Sequence, residues 1–182
     1  MAVDRRSAIK QLLFVSAGFA ILPSCLQKTT RSSMAIKNFS IDADQEKILA
    51  ELTDTIIPPT STPGAKSLGA PLFTVVMLDD CYTKDEQKRW VKGLKAFEEA
   101  CKDMNGLGFV QCNTAQRNAL VKSLEESKED NALNYFYRTT KRETIHAYTT
   151  SKYFLTNVDI YELVPGRYKG AVPYKPQARK LS

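Results

Sequence analysis

The chain has 182 residues, 43% apolar and 25% charged, the make-up of an ordinary globular protein rather than a disordered or low-complexity one. Its formal charge of +6 owes something to the first 24 residues: without Asp4, Arg5, Arg6 and Lys10 it falls to +4. No basic run with interleaved aromatics remains, so nucleic acid is a poor partner, and the remaining length suits one domain with a single core.

Residues 1–24 read as an export signal. A short basic start holding Arg5, Arg6 and Lys10 precedes an apolar run from Leu12 to Leu22, which is shorter than the roughly 20 apolar residues a membrane span needs. The run ends at Leu22-Pro23-Ser24-Cys25, which resembles the lipid-attachment box of bacterial lipoproteins, where the cysteine thiol takes a diacylglycerol and becomes the new N-terminus. Arg5-Arg6-Ser-Ala-Ile9-Lys10 resembles the twin-arginine signal, read by a pathway that carries folded proteins. The expectation is an exported protein, held at the periplasmic side of the cell envelope by a lipid on Cys25. Residues 25–40 are rich in Lys, Thr and Ser and aperiodic, and read as a flexible tether; residues 41–182 are the domain.

Asp42 or Ser40 can cap a first helix carrying Ile48, Leu49, Leu52 and Ile56 at helical spacing, stopped by Pro58-Pro59. A Pro/Gly/hydroxyl loop follows to Ala70. Pro71 suits the first turn of a second helix through Leu72, Val75, Val76 and Leu78 to about Cys81. Thr83 and Glu86 form a capping box for a third, which shows Trp90, Val91, Leu94, Phe97, Cys101 and Met104 on one side and ends at Asn105-Gly106. Thr114 opens a fourth helix with Leu120, Val121 and Leu124 inward. A fifth runs from about Asn131 to Ser151 with Phe136, Tyr137, Ile145 and Tyr148, and its threonines lower helix propensity, so packing must hold it. The fold class is all-α: one small domain of about five helices with long Pro/Gly loops and an irregular C-terminal tail.

Besides Cys25 there are Cys81, Cys101 and Cys112. Cys101 and Cys112 flank a Gly-containing turn and are the better internal disulfide pair, with Cys81 free, buried or bonded to a partner; three small buried thiols are the equal alternative. No catalytic, cofactor-binding or metal-ligating set stands out. The one histidine, His146, has no histidine companion or metal-site spacing and reads as a helix histidine. Asp79-Asp80 and Glu98-Glu99 are adjacent, hence about 100° apart on a helix, a common arrangement on solvated faces. Gly106-Leu-Gly108 follows no strand and is a turn rather than a dinucleotide fingerprint.

Leu52-Thr-Asp54-Thr-Ile56-Ile57-Pro58, Thr62-Pro63-Gly64-Ala65 and Met77-Leu-Asp79-Asp80-Cys81 resemble the N-terminal half of the gluconate 2-dehydrogenase subunit 3 family. Thr144-Ile-His-Ala-Tyr148-Thr-Thr-Ser151 and Val164-Pro165-Gly166-Arg167-Tyr168-Lys-Gly170 resemble its C-terminal half, so the likeness spans roughly residues 48–174. The resemblance implies a small subunit with no cofactor of its own. Its partner would be a large FAD-containing subunit of the glucose-methanol-choline type that oxidises a sugar, sugar acid or related alcohol, often passing electrons to a cytochrome c subunit. The small subunit would carry the twin-arginine signal and help its partner fold, load cofactor and cross the membrane. On that basis the loop holding Thr62, Pro63 and Gly64 and the tail holding Pro165, Gly166, Arg167 and Tyr168 are the expected partner surface, with Cys81 as a candidate bridge. Competing expectations are a free-standing envelope lipoprotein that binds a sugar or acts as a scaffold, and an enzyme using His146 with an acid.

Overall fold

A computed structural model describes residues 34–159, with Gly166 and Ala171. Arg5, Arg6, Cys25, Pro165, Arg167 and Tyr168, and with them the expected signal, lipid site and most of the tail, lie outside the described residues. Among the described residues there are six α-helices, one 3-10 turn and no β-strand, so the all-α expectation holds.

Helix α1 (Ala43–Ile56) starts on Asp42, whose carboxylate accepts from the backbone N–H groups of Asp44 and Gln45 while Gln45 Oε1 accepts from the Asp42 N–H. It buries Ile48, Leu49 and Leu52 and stops before Pro58. Helix α2 (Ala70–Cys81) follows Gly69, which sits at φ 82°, where a side chain would be strained. Helix α3 (Lys84–Asn105) has the Thr83–Glu86 capping box and ends on left-handed Gly106. A 3-10 turn (Phe109–Gln111) leads to α4 (Thr114–Glu126), capped by Asn113, and α5 (Ala132–Thr149), capped by Asn131.

The fifth helix stops short of the expected end. Thr149 and Thr150 hydroxyls donate back to the carbonyls of Ile145 and His146, and Ser151 turns its Oγ to the Phe154 N–H, starting a sixth helix, α6 (Lys152–Asn157). Met104, expected inward, is half exposed at the end of α3.

The core lies mainly between α3 and α5, the most extensive helix pair. Phe136 packs against Trp90 at a ring separation of 5.1 Å and against Phe97 at 5.4 Å, and Phe97 packs in turn on Phe109 at 4.8 Å. Trp90 Nε1 donates to Thr140 Oγ1 at 3.1 Å, and Thr144 Oγ1 donates to the Thr140 carbonyl at 2.7 Å. Thr140 and Thr144, two of the β-branched residues that weaken α5 in isolation, are thus buried and satisfied within it. Arg117 joins three elements, donating to Glu51 Oε2 on α1 at 2.5 Å and to the carbonyls of Phe109 and Val110. Cys101 and Cys112 are buried thiols whose sulfurs touch at 3.4 Å.

Candidate partner-binding surface

Helix α2 has no polar face until Asp79. Its inner side buries Ala70, Pro71, Thr74, Val75 and Leu78 against α1 and α5, but Leu72 is 51% exposed and Val76 is 42% exposed, one helical turn apart on its outer side. Phe73 and Met77 lie half-buried between the two sides. A helix apolar all round is normally covered on every side. On the neighbouring α5, Ile145 is exposed and His146 meets the Phe73 ring edge-on at 5.1 Å. Among the described residues Met104, Leu107 and Val110, from the end of α3 to the 3-10 turn, are the other group of exposed large apolar residues, but only on α2 do two lie on one face of a helix. The sequence placed Leu72 and Val76 in a helix, but a helix whose residues are nearly all apolar has no period from which to read an outer face.

The loop before α2 is held rather than loose. Ala65 N–H donates to the Ile57 carbonyl at 3.0 Å, Ala70 N–H to the Ala65 carbonyl at 3.1 Å, and Ser67 Oγ to the Gly64 carbonyl at 2.8 Å. Ala65, Ala70 and Ala147 form a small second cluster with Ile57, Phe73 and Tyr148. Of the expected loop contacts, Thr62 and Pro63 are half-buried and Gly64 is buried. A Cβ on Gly64 would lie 2.8 Å from the Pro59 nitrogen and 2.9 Å from Asp54 Oδ1, so this glycine lets the loop close on itself. Pro58, Pro59, Thr60 and Ser61 are the exposed tip. Cys81 is exposed at the end of α2, and Gly166 is exposed.

Two residues read as solvated from the sequence have structural roles. Asp79 is buried, and its carboxylate accepts from the N–H groups of Lys37 at 3.0 Å and Asn38 at 2.7 Å, while Asn38 Nδ2 donates to the Asp79 carbonyl at 2.9 Å. Burial raises its carboxyl pKa, but these donors outweigh burial and hold it below the usual range. The chain is therefore fixed to the domain from about Lys37, with Met34, Ile36 and Phe39 packed on the core, earlier than the tether boundary at residue 40. Glu98 accepts from the Phe109 N–H at 3.3 Å.

His146 sits one turn from Glu143 on α5. Its Nδ1 lies 3.6 Å from Glu143 Oε2, beyond hydrogen-bond distance. Glu143 is itself taken up by Tyr82, which donates to Oε1 at 2.5 Å, and by Arg142 Nε at 3.0 Å. Burial and that same bond push the Tyr82 hydroxyl up to about 12, so it remains a donor at neutral pH. Among the described residues no three His, Cys, Asp or Glu side chains come together as a metal site, and no helix is long and apolar enough to cross a membrane.

A family model described as gluconate 2-dehydrogenase subunit 3 matches residues 43–166, which takes in all six described helices. No curated protein and no solved structure matches the chain.

Proposed function

The chain belongs to the gluconate 2-dehydrogenase subunit 3 family, and from that premise we propose that it is the non-catalytic small subunit of a membrane-bound, FAD-dependent dehydrogenase acting on a sugar, sugar acid or related alcohol. The FAD would sit in a large subunit of the glucose-methanol-choline type, with electrons passing onward to a cytochrome c subunit. The small subunit would bind the large one, help it fold and load cofactor, and supply the twin-arginine signal of Arg5 and Arg6 for export of the folded pair, with Cys25 lipidated at the periplasmic side.

The observation that carries this reading is the uncovered apolar face of α2. Leu72 and Val76, with Ile145 exposed on α5, supply the apolar centre that a stable protein interface needs. The exposed tip Pro58–Ser61 and Cys81 lie at opposite ends of the α2 region, as rim contacts would. Proline in the tip limits the entropy lost on binding.

The test is isolation of the chain from its native membranes under mild detergent, followed by an absorbance spectrum. A flavin spectrum and a co-purifying large polypeptide are expected. Recovery of the chain alone, or with partners that carry no flavin, would overturn the subunit reading.

A further inference from the structure

Asp79 does more than close a loop: it fixes where the N-terminal arm joins the domain. Asn38, Phe39 and Ser40 come off that anchor and form one wall of a cleft of about 490 Å³. Phe39 is set there by an edge-on contact with Trp90 at 6.0 Å. The opposite wall is α3, which contributes Val91 to the floor and Lys84, Lys88, Lys92 and Lys95 to the rim. At 100° per residue the four lysines fall within an arc of about 80°, along roughly 16 Å of helix. All four are exposed; Lys88 reaches Asp85 at 3.4 Å, and among the described residues no carboxylate is within ion-pair distance of Lys84, Lys92 or Lys95. The cleft is thus an apolar floor under a rim of four lysines, three of them with no carboxylate at ion-pair distance among the described residues.

We infer that this lysine-rimmed cleft is the face the domain turns to the bilayer, with anionic phospholipid headgroups as its occupant. Charge is one argument: a row of lysines at a membrane surface attracts acidic lipids, each contributing independently. The second is reach, and it rests on the proposed lipid at Cys25. Lys37 is the twelfth residue after Cys25, a span of at most about 43 Å however the chain runs. The arm emerges beside the cleft because Asp79 holds it there. An anchor on Cys25 would therefore join the domain beside this face, and lysine side chains can lay their methylenes on Phe39 and Val91 while their ammonium groups meet phosphates. An acidic segment of a partner protein has the charge but not the reason to sit beside the arm.

The test uses the full chain carrying Cys25→Ser, so that no acyl group contributes. It is mixed with vesicles of phosphatidylcholine containing phosphatidylglycerol, and with phosphatidylcholine vesicles alone, and bound protein is measured by flotation. The parent is expected to bind the anionic vesicles selectively, with binding falling as salt rises. Replacing Lys84, Lys92 and Lys95 by Gln should weaken that binding at least about tenfold. Replacing Lys122, Lys128 and Lys152, which do not line the cleft, should leave it near the parent's value. Every variant carries the same residues 1–33, so any contribution from them cancels, and circular dichroism checks that the helices persist. Equal binding by the parent and the cleft variant, an equal loss in the control variant, or capture by polyglutamate with no vesicle binding would each overturn the inference. Acylation of Cys25 is read separately, by the mass of the native N-terminal peptide, so failure of the anchor reading is told apart from failure of this one.

Discussion

The Tyr82 hydroxyl donates to Glu143 Oε1 at 2.5 Å, joining the residue that ends α2 to the middle of α5 across 61 positions of sequence. Glu143 is 3% exposed, so its charge is tolerated only because Tyr82 and Arg142 serve it. Tyr82→Phe removes a bond to a charged group, and a loss of about 1.5–3 kcal/mol in urea unfolding is expected. The pH dependence has a definite sign. Burial raises the Glu143 carboxyl, but the bonds from Tyr82 and Arg142 outweigh it and the net shift is downward from the ordinary 4.5. A folded value below the unfolded one gives stability that is complete above pH 4.5 and is lost as pH falls through the folded value. Glu51, lowered first by its bond from Lys66 and further by Arg117, acts in the same direction. The midpoint of unfolding should therefore fall as pH drops below 4.5, more steeply in the parent than in Tyr82→Phe. A parallel acid profile would show that this bond does not set the carboxyl.

The closest approach of α3 and α5 depends on Gly93. A Cβ there would lie 2.1 Å from the Ala132 carbonyl oxygen and 2.5 Å from Phe136 Cβ. In an isolated helix Gly→Ala gains about 1 kcal/mol. Here the backbone cannot yield without moving α5, and overpacking costs more than that gain. Gly93→Ala is expected to lower stability by about 2 kcal/mol, seen as a lower Tm. An unchanged or raised Tm would mean that the two helices can separate freely.

Most of the helices were legible because their signals are local. Asp42, Thr83 and Gly106 announce ends through short-range hydrogen bonding and backbone conformation, and Leu49, Leu52, Trp90, Leu94 and Phe97 mark inward faces by period. What escaped depends on partners distant in sequence. Nothing near Asp79 signals that Lys37 and Asn38 will donate to it, so it reads as one half of a solvated acidic pair. Nothing local to Gly64 signals that Pro59 and Asp54 will close over it. The break at Thr150 escaped because hydroxyls bonding to the preceding turn can continue a helix or end it. The outer face of α2 was hidden by the uniform apolarity that makes it a candidate interface.

Cys101 and Cys112 are placed to oxidise with each other. Burial and the Cys112 contact push the Cys101 thiol up to about 11, so little thiolate exists at neutral pH and exchange from the folded state is slow. With glutathione disulfide as oxidant, two thiols lose two protons and two electrons and two glutathione thiols form. Mass spectrometry after alkylation should then show a Cys101–Cys112 bond, formed faster in mild urea than in its absence. Of the three cysteines among the described residues, exposed Cys81 should be the first to react with a maleimide. Recovery of Cys81 bonded to either of the other two would contradict the geometry.

The α2 surface makes a prediction that separates binding from folding. Leu72 and Val76 already face solvent in the isolated chain, so Leu72→Glu with Val76→Lys should change stability by no more than about 0.5 kcal/mol per site. In the assembled dehydrogenase the same pair would carry two charges, paired with each other at i,i+4, out of water at the centre of an interface, a desolvation cost of several kcal/mol. Co-purification of the flavoprotein should accordingly be lost while the Tm of the small subunit stays near the parent's. A matched pair on the solvated side of α4, Lys122→Glu with Ser123→Lys, should leave co-purification intact. Two other results carry meaning: if the α2 pair also lowers the Tm sharply, the outer face is packed within the chain itself, and if the flavoprotein still binds, the partner docks elsewhere. Either would remove the reason for reading α2 as the seat of the large subunit.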